Sequence, residues 1–375
     1  MTTDRALSYD ATGVLDNTQL GLTALLKWVN GTARFRAQGV GRRVVDVGFF
    51  ASVVEITRDL GLALCTDGVG SKVLVAEMLH RYDTIGIDCV AMNVNDAICV
   101  GAEPISLLDY IAIERATPQM LEDIAKGLHE GARQANVAIV GGEISQMPEI
   151  IKGREPGGGL DLVGMCAGVV PLDRIILGRD VAPGDVIMGV RSSGIHSNGF
   201  TLARRALFEA GGLAPDQYVA ELGGSVGDEL LRPTSIYVAP VVDLLRHRVL
   251  VKALVHITSD GLLNLGRIDN DRVGFRIDAL PEPPPIFELI RTSGRVAEAE
   301  MYRVFNMGIG FCLIVPADSA VIETVTQAFA TPRDTGAFEA RVIGEVVADS
   351  RKRVILTRQR LVGEGDAFQS SSGQV

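Results

Sequence analysis

Three carboxylates stand where an apolar element ends or where a charge is costly to bury. Asp67 follows the apolar run in "GLALCTDGVGSK", Asp96 sits in the almost wholly apolar "DTIGIDCVAMNVNDAICVGAEP", and Glu143 follows the glycines of "VAIVGGE". Such an oxygen-rich set is what Mg²⁺ prefers when it bridges to phosphates. Asp88 and Asn95 are two helical turns apart and share a face, with Asp96 beside it. A buried carboxylate must be paired or bind a cation. One such residue reads as an internal ion pair, but the group reads as a metal site. Gly68, Gly70, Gly141 and Gly142 let the backbone approach a ligand closely. Lys72 either neutralises a phosphate or stands in solvent.

A second polar cluster is "SSGIHSNGF", residues 192–200, between a strand and a helix. Ser192, Ser193, Gly194, His196, Ser197 and Asn198 crowd this loop, and a helix N-terminus there offers free N–H groups to an anion. The same residues would also serve as ordinary helix caps. His196 could transfer a proton near neutral pH or donate to a substrate. "HITSDGLLN" supplies His256 and Asp260 at a third strand-to-turn site, which alone reads as a satisfied histidine before an Asp-Gly turn. "DGVGSK" is too short for a P-loop, no GxGxxG opens a βαβ unit, and no HExxH occurs.

The elements that must position these residues alternate along the chain. "NTQLGLTALLKWVNGTARF" spaces Leu22, Leu25, Leu26 and Val29 as a helix capped by Asn17 or Thr18. "VDVGFFASVVEI" and "GLALCTDG" read as consecutive strands, residues 71–81 as a short helix, and the Asp96 segment as a buried helix ended by Gly101 and Pro104. A strand, an amphipathic helix opening at Thr117-Pro118, and two more strands follow. The rhythm breaks near residue 171 and resumes with strands at "DVIMGVR", "VKALVHIT", "VGFRIDAL" and "GIGFCLIVP". This predicts two α+β or α/β domains with mixed sheets: an N-terminal segment 1–45, a domain 46–170, a second 171–358, and a frayed tail 359–375.

At 375 residues the chain exceeds the roughly 250 at which single cores stop growing. Its 47% hydrophobic and 22% charged residues are globular composition, and a net charge of −10 argues against nucleic acid as partner. No run reaches the roughly 20 apolar residues of a membrane span, and the N-terminus has no signal-peptide core. Five cysteines without a CxxC pair read as reduced thiols of a cytoplasmic protein.

Taken in order, "SYDATGV", "TDGVGSK", "DTIGID…VAMNVND", "GAEP…LDY", "VGGE…MPE", "SSGIHSNGF", "LLRPTSIYV" and "EMYRVFNMGIG" resemble the phosphoribosylformylglycinamidine cyclo-ligase (aminoimidazole ribonucleotide synthetase) family over residues 8–358. The resemblance implies an N-terminal ATP-binding and dimerising domain, a homodimer, and ATP with Mg²⁺, a monovalent cation being possible. It implies ring closure of formylglycinamidine ribonucleotide in purine synthesis. It assigns metal–ATP to Asp67, Asp96 and Glu143, phosphate support to Lys72 and Asn95 with Gly68, Gly70, Gly141 and Gly142, and substrate to the 192–198 loop with His256 and Asp260. His196, Asp96 and Lys72 become the catalytic set. The chain departs from the family pattern where a GGFG-like segment is reduced to Gly48, at Ile144 after the Gly-Gly-Glu, and at Ser259-Asp260 in place of glycines. A divergent relative acting on another small substrate, or a non-catalytic paralogue, are the alternatives.

Overall fold

Strand alternation in the first half builds one mixed sheet. The structure, a computed structural model, describes residues 7–13, 18–333 and 336–371. The N-terminal strands are β1 (Arg43–Val45), β2 (Ser52–Glu55), β3 (Leu60–Gly68), β4 (Glu103–Ile113), β5 (Ala138–Gln146) and β6 (Leu160–Pro171), in the order β1-β2-β3-β6-β4-β5. Only β4 and β5 are parallel, since a helix connects them.

Helix α1 (Thr18–Gly31) forms as its spacing predicts, but Leu22, Leu25 and Val29 are exposed. The proposed cap Asn17 lies outside the described residues. A 3-10 turn at Gly70–Lys72 leads into α2 (Val73–Leu79), and α3 (Ile85–Cys99) is buried nearly all round. Helix α4 (Pro118–Ala135) begins as expected: Thr117 Oγ1 accepts from Met120 N, with Pro118 in the first turn. α3 and α4 approach so closely that a Cβ on Gly86 or Gly127 would strike the other helix's backbone or its approach.

The second half forms an eight-stranded sheet. Its strands are β7 (Val186–Arg191), β10 (Ala253–His256), β11 (Val273–Ile277), β12 (Ile309–Val315), β13 (Ala340–Ala348), β14 (Val354–Leu356), β15 (Leu361–Glu364) and β16 (Ala367–Ser370). The order is β10-β12-β7-β13-β11-β14-β15-β16, with β11 and β14 parallel. Two short strands, β8 (Tyr218–Val219) and β9 (Gly224–Ser225), form a separate ladder. Helices α5 (Phe200–Arg204), α6 (Val226–Leu230), α7 (Val238–Arg246), α8 (Pro285–Gly294), α9 (Glu298–Val304) and α10 (Ser319–Ala330) complete this domain. The mixed two-domain architecture is the one expected.

The expected frayed tail is a correction. β15 and β16 pair as a hairpin on the sheet edge, and Phe368 packs edge-on against Tyr302 of α9. Sparse apolar residues in "AFQSS" hid an element whose stability comes from a distant helix. Buried side chains of both domains join in one apolar cluster, including Ile85 and Val94 of α3 and Val241 of α7. α3 therefore serves as a beam shared by both domains.

Candidate active site

α3 carries two functional stripes. Cys89, Asn93 and Asp96 follow helical spacing and turn toward β3 and β6. Asn93 Oδ1 accepts from Asp67 N at 2.9 Å, while its Nδ2 donates to Asp67 O at 3.1 Å and Cys89 O at 2.8 Å. Asn93, which the sequence reading passed over, thus locks the backbone of Asp67 at the end of β3. The Asp67 carboxyl accepts from Gly68 N at 2.7 Å. Burial, then the nearby Asp96 charge, pushes the Asp67 pKa up to about 6, against the pull of the Gly68 N–H, His256 and Arg267. Asp96 Oδ1 lies 2.9 Å from Nδ1 of His256 at the end of β10, so the site joins both domains.

The second stripe, Asp88 and Asn95, does share a face, but that face docks the C-terminal domain. Asp88 Oδ1 accepts from Thr234 N at 2.8 Å and Thr234 Oγ1 at 2.6 Å, and Oδ2 pairs with Lys72 Nζ at 2.8 Å. Lys72 Nζ also donates to His196 O at 3.0 Å and Arg232 O at 2.8 Å. Its three donors are thereby occupied. Burial lowers the Lys72 pKa and raises that of Asp88, and their mutual attraction opposes both shifts. Asn95 Nδ2 donates to Ser235 O at 2.9 Å, and its Oδ1 accepts from Tyr237 N at 3.0 Å. Expecting Lys72 and Asn95 at a phosphate is therefore corrected: both are spent on holding the domains together.

Glu143 does not join Asp67 and Asp96 within one chain. The ladder aligns Asp67 with Gly164, Gly164 with Asp109, and Asp109 with Gly142. Three strand steps are about 14 Å. A Cβ on Gly164 would point at Asn93 and Cys89, so the row holding Asp67 faces α3. Glu143 pairs with Tyr110 in the next row and faces away. Among the described residues no three His, Cys, Asp or Glu side chains are placed to hold a metal. The expected three-carboxylate set reduces to Asp67 and Asp96. Gly142 is small because Asp109 is close: a Cβ there would lie 2.5 Å from Asp109 Oδ1. A Cβ on Gly141 would lie 3.3 Å from Leu108 Cδ2, and both glycines are exposed on the edge strand, away from Asp67. Gly70, with φ +68°, makes the left-handed turn that sends Lys72 inward, while Gly68 ends β3.

The 192–198 loop is clamped by its own polar groups. Ser192 Oγ meets Gly194 O at 2.9 Å and Asn306 Oδ1 at 3.0 Å, Ser193 Oγ donates to Pro233 O at 2.5 Å, and Ser197 Oγ donates to Val69 O at 2.8 Å. Gly194 is buried against Glu229 Oε1. His196 is buried with φ +62°, and its Nε2 accepts from Ser193 N at 3.3 Å. Its Nδ1 and Asn198 Oδ1 are the loop's buried side-chain atoms left without a partner. Burial, with His256 and Lys72 nearby, holds the His196 pKa well below the usual range. The shift favours the neutral ring, whose Nε2 already accepts from Ser193 N while Nδ1 is left without a partner.

Asp260 and Ser259 are exposed on the rim of a cavity of about 770 Å³, lined also by Thr258, Arg267, Arg351 and Asp366. Asp260 has φ +74°, and Asn264 Nδ2 holds the turn through Ser259 O at 2.7 Å. Arg267 connects the cavity to the carboxylates. It stacks 4.3 Å over Phe50, donates to Gly48 O at 3.2 Å, and its charge reaches Asp67. Two neighbouring carboxylates, Asp67 and Asp96, with Arg267 close enough for its charge to reach Asp67, are suited to hold a divalent cation that also takes phosphate oxygens.

Comparison with known proteins identifies the family. Residues 50–170 match the N-terminal and residues 182–357 the C-terminal domain of the family described as AIR synthase related protein. A phosphoribosylformylglycinamidine cyclo-ligase from Methanothermobacter thermautotrophicus is 48% identical over 313 residues, 83% of this chain and 88% of that one. One from Methanocaldococcus jannaschii is 49% identical over 300 residues, 80% and 81% of the two chains. Among solved structures, thiamine-monophosphate kinase from Stenotrophomonas maltophilia superposes with TM-score 0.57 at 20% identity, over 85% of this chain and 93% of its own. Hydrogenase maturation protein HypE in complex with ATP does so with TM-score 0.54 at 18% identity, over 82% and 84%. These likenesses support the fold alone. The family matches and the identity to these relatives place the chain in the phosphoribosylformylglycinamidine cyclo-ligase family of AIR synthase related proteins.

Proposed function

We propose that the protein is an ATP-dependent cyclo-ligase that converts formylglycinamidine ribonucleotide to aminoimidazole ribonucleotide in purine synthesis. The observation that carries this reading is the 48% identity to a cyclo-ligase across 83% of the chain. The chemistry needs positioning more than proton transfer. An amide oxygen leaves poorly, so the γ-phosphoryl group of ATP is transferred to it, releasing ADP. An internal nitrogen then attacks the activated carbon, the C–O bond breaks, phosphate leaves, and one proton is lost as the imidazole closes.

Asp67 and Asp96 would hold Mg²⁺, which supplies charge neutralisation to the nucleotide phosphates. Asn93 fixes the backbone of Asp67, and His256 orients the Asp96 carboxylate. Arg267 places a cation between this pair and the cavity. Lys72 and Asn95 are positioning residues that hold the second domain in register.

A homodimer fits the exposed sheet face. Tyr110 and Met165 point away from α3 and are exposed, and Glu143 stands beside Tyr110 on that face. A second copy packed there would cover this apolar surface and bury Glu143. No helix among the described residues is long and apolar enough to cross a membrane, which fits the cytoplasmic location this function requires. The test is incubation of the purified protein with ATP, Mg²⁺ and formylglycinamidine ribonucleotide. Equal amounts of ring-closed product, ADP and phosphate are expected. Hydrolysis of ATP without ring closure would reject the reading.

A further inference from the structure

The matched family region ends at residue 357, yet the chain continues into the ordered hairpin β15–β16. That hairpin is fixed on two sides. Gly363 meets Leu263 so closely that a Cβ would clash, and Phe368 packs on Tyr302. Its inner edge supplies Gly363, Gly365 and Asp366 to the cavity of about 770 Å³. Gly365, at φ +65°, turns the hairpin with open space where a side chain would be, so the tip leaves room for a ligand.

The cavity lining carries both charges. Arg351 and Lys352, in the turn before β14, and Arg267 supply the cations. Arg351 meets Glu364 only at 3.6 Å, and both side chains are more than half exposed, so the guanidinium is free to turn to a stronger anion. Lys352 is anchored by Ile268 O at 2.7 Å and meets Asp271 at 3.3 Å. Asp260 and Asp366 offer carboxylate oxygens, which accept from hydroxyls and repel phosphate. Thr258, Ser259 and Asn264 add neutral polar groups. Cations for a dianion, carboxylates for a diol and a volume within the usual range for small ligands together describe a sugar phosphate.

We propose that the C-terminal hairpin completes a sugar-phosphate subsite, with Arg351 as the phosphate contact and Asp366 as a hydroxyl acceptor. This deepens the cyclo-ligase reading and rests on it: the sugar phosphate is the ribose 5-phosphate end of the substrate. The phosphate could otherwise belong to ATP, and the measurements separate the two.

Calorimetric titration of the full chain with ribose 5-phosphate, and separately with a non-hydrolysable ATP analogue, should be compared with steady-state KM values. Removing one charge-assisted contact in Arg351→Gln should weaken ribose 5-phosphate about tenfold and raise KM for the ribonucleotide by a similar factor. The ATP-analogue affinity and unfolding temperature should stay unchanged. Asp366→Asn, at the exposed tip, should weaken ribose 5-phosphate without moving the affinity for inorganic phosphate. Failure of the wild-type protein to bind ribose 5-phosphate at millimolar concentration, or an unchanged affinity in Arg351→Gln, overturns the proposal. A shift confined to the ATP analogue overturns it too, placing the nucleotide there. Arg351-dependent ribose 5-phosphate binding without ring closure would reject the cyclo-ligase reading while leaving the subsite intact.

Discussion

Nδ1 of His256 lies 2.9 Å from Oδ1 of Asp96, although 160 residues separate them. The contact joins the last residue of a C-terminal strand to the helix shared by the two domains, so domain alignment and carboxylate orientation are one event. His256→Ala should lower kcat/KM roughly 10- to 100-fold, as loss of an orienting partner does at metal sites. Circular dichroism should show the fold retained. An unchanged kcat/KM would remove His256 from the account.

The buried Lys72–Asp88 pair makes a different prediction, about stability. Lys72→Met leaves Asp88 buried without its cation, which should cost about 3–5 kcal/mol in urea unfolding. Adding Asp88→Leu should recover much of that loss, because the uncompensated charge is removed. A single variant within about 1 kcal/mol of wild type would contradict the burial and bonding described.

The carboxylate pair predicts a pH-dependent gain from substitution. The folded pKa of Asp67, at about 6, lies above the ordinary value of 3.8. Folding therefore favours its protonated form, and this residue's contribution worsens as pH rises from about 4 through 6. In metal-free buffer, Asp67→Asn should raise the unfolding temperature more at pH 8 than at pH 5. The same variant should lose most of the thermal shift that Mg²⁺ with an ATP analogue gives the wild type. Equal stabilisation at both pH values would argue against a carboxyl raised by burial and by the neighbouring Asp96 charge.

The sheet face bearing Tyr110 predicts assembly. Tyr110→Asp with Met165→Asp should convert a dimer to monomer in sedimentation equilibrium, since charges there would be buried unpaired. A wild-type monomer at micromolar concentration would contradict this face as an interface.

Much of the fold is legible in local pattern, and the failures share a cause. Helix α4 announces itself through Thr117, Pro118 and one apolar stripe, and β3 through its apolar run into Asp67. The sequence also shows that Asp88 and Asn95 share a face. It does not show that Ser235, Tyr237 and Thr234 arrive on that face from the other domain, so phosphate ligands and domain locks look alike. Glu143 lies apart from Asp67 within one chain for a related reason. Its strand-end setting resembles that of Asp67, but strand order interposes β6 and β4, and the period of two turns it to the opposite face. His196 sits in a polar stretch, yet its left-handed backbone directs the ring into the core beside Tyr237.

The most direct test of the central claim is ring-closed product formed from ATP, Mg²⁺ and formylglycinamidine ribonucleotide by wild-type protein and by Asp96→Asn. The account predicts product from the wild type and at least about a hundredfold loss in the variant, with its fold unchanged. A variant that closes the ring at the wild-type rate would contradict it.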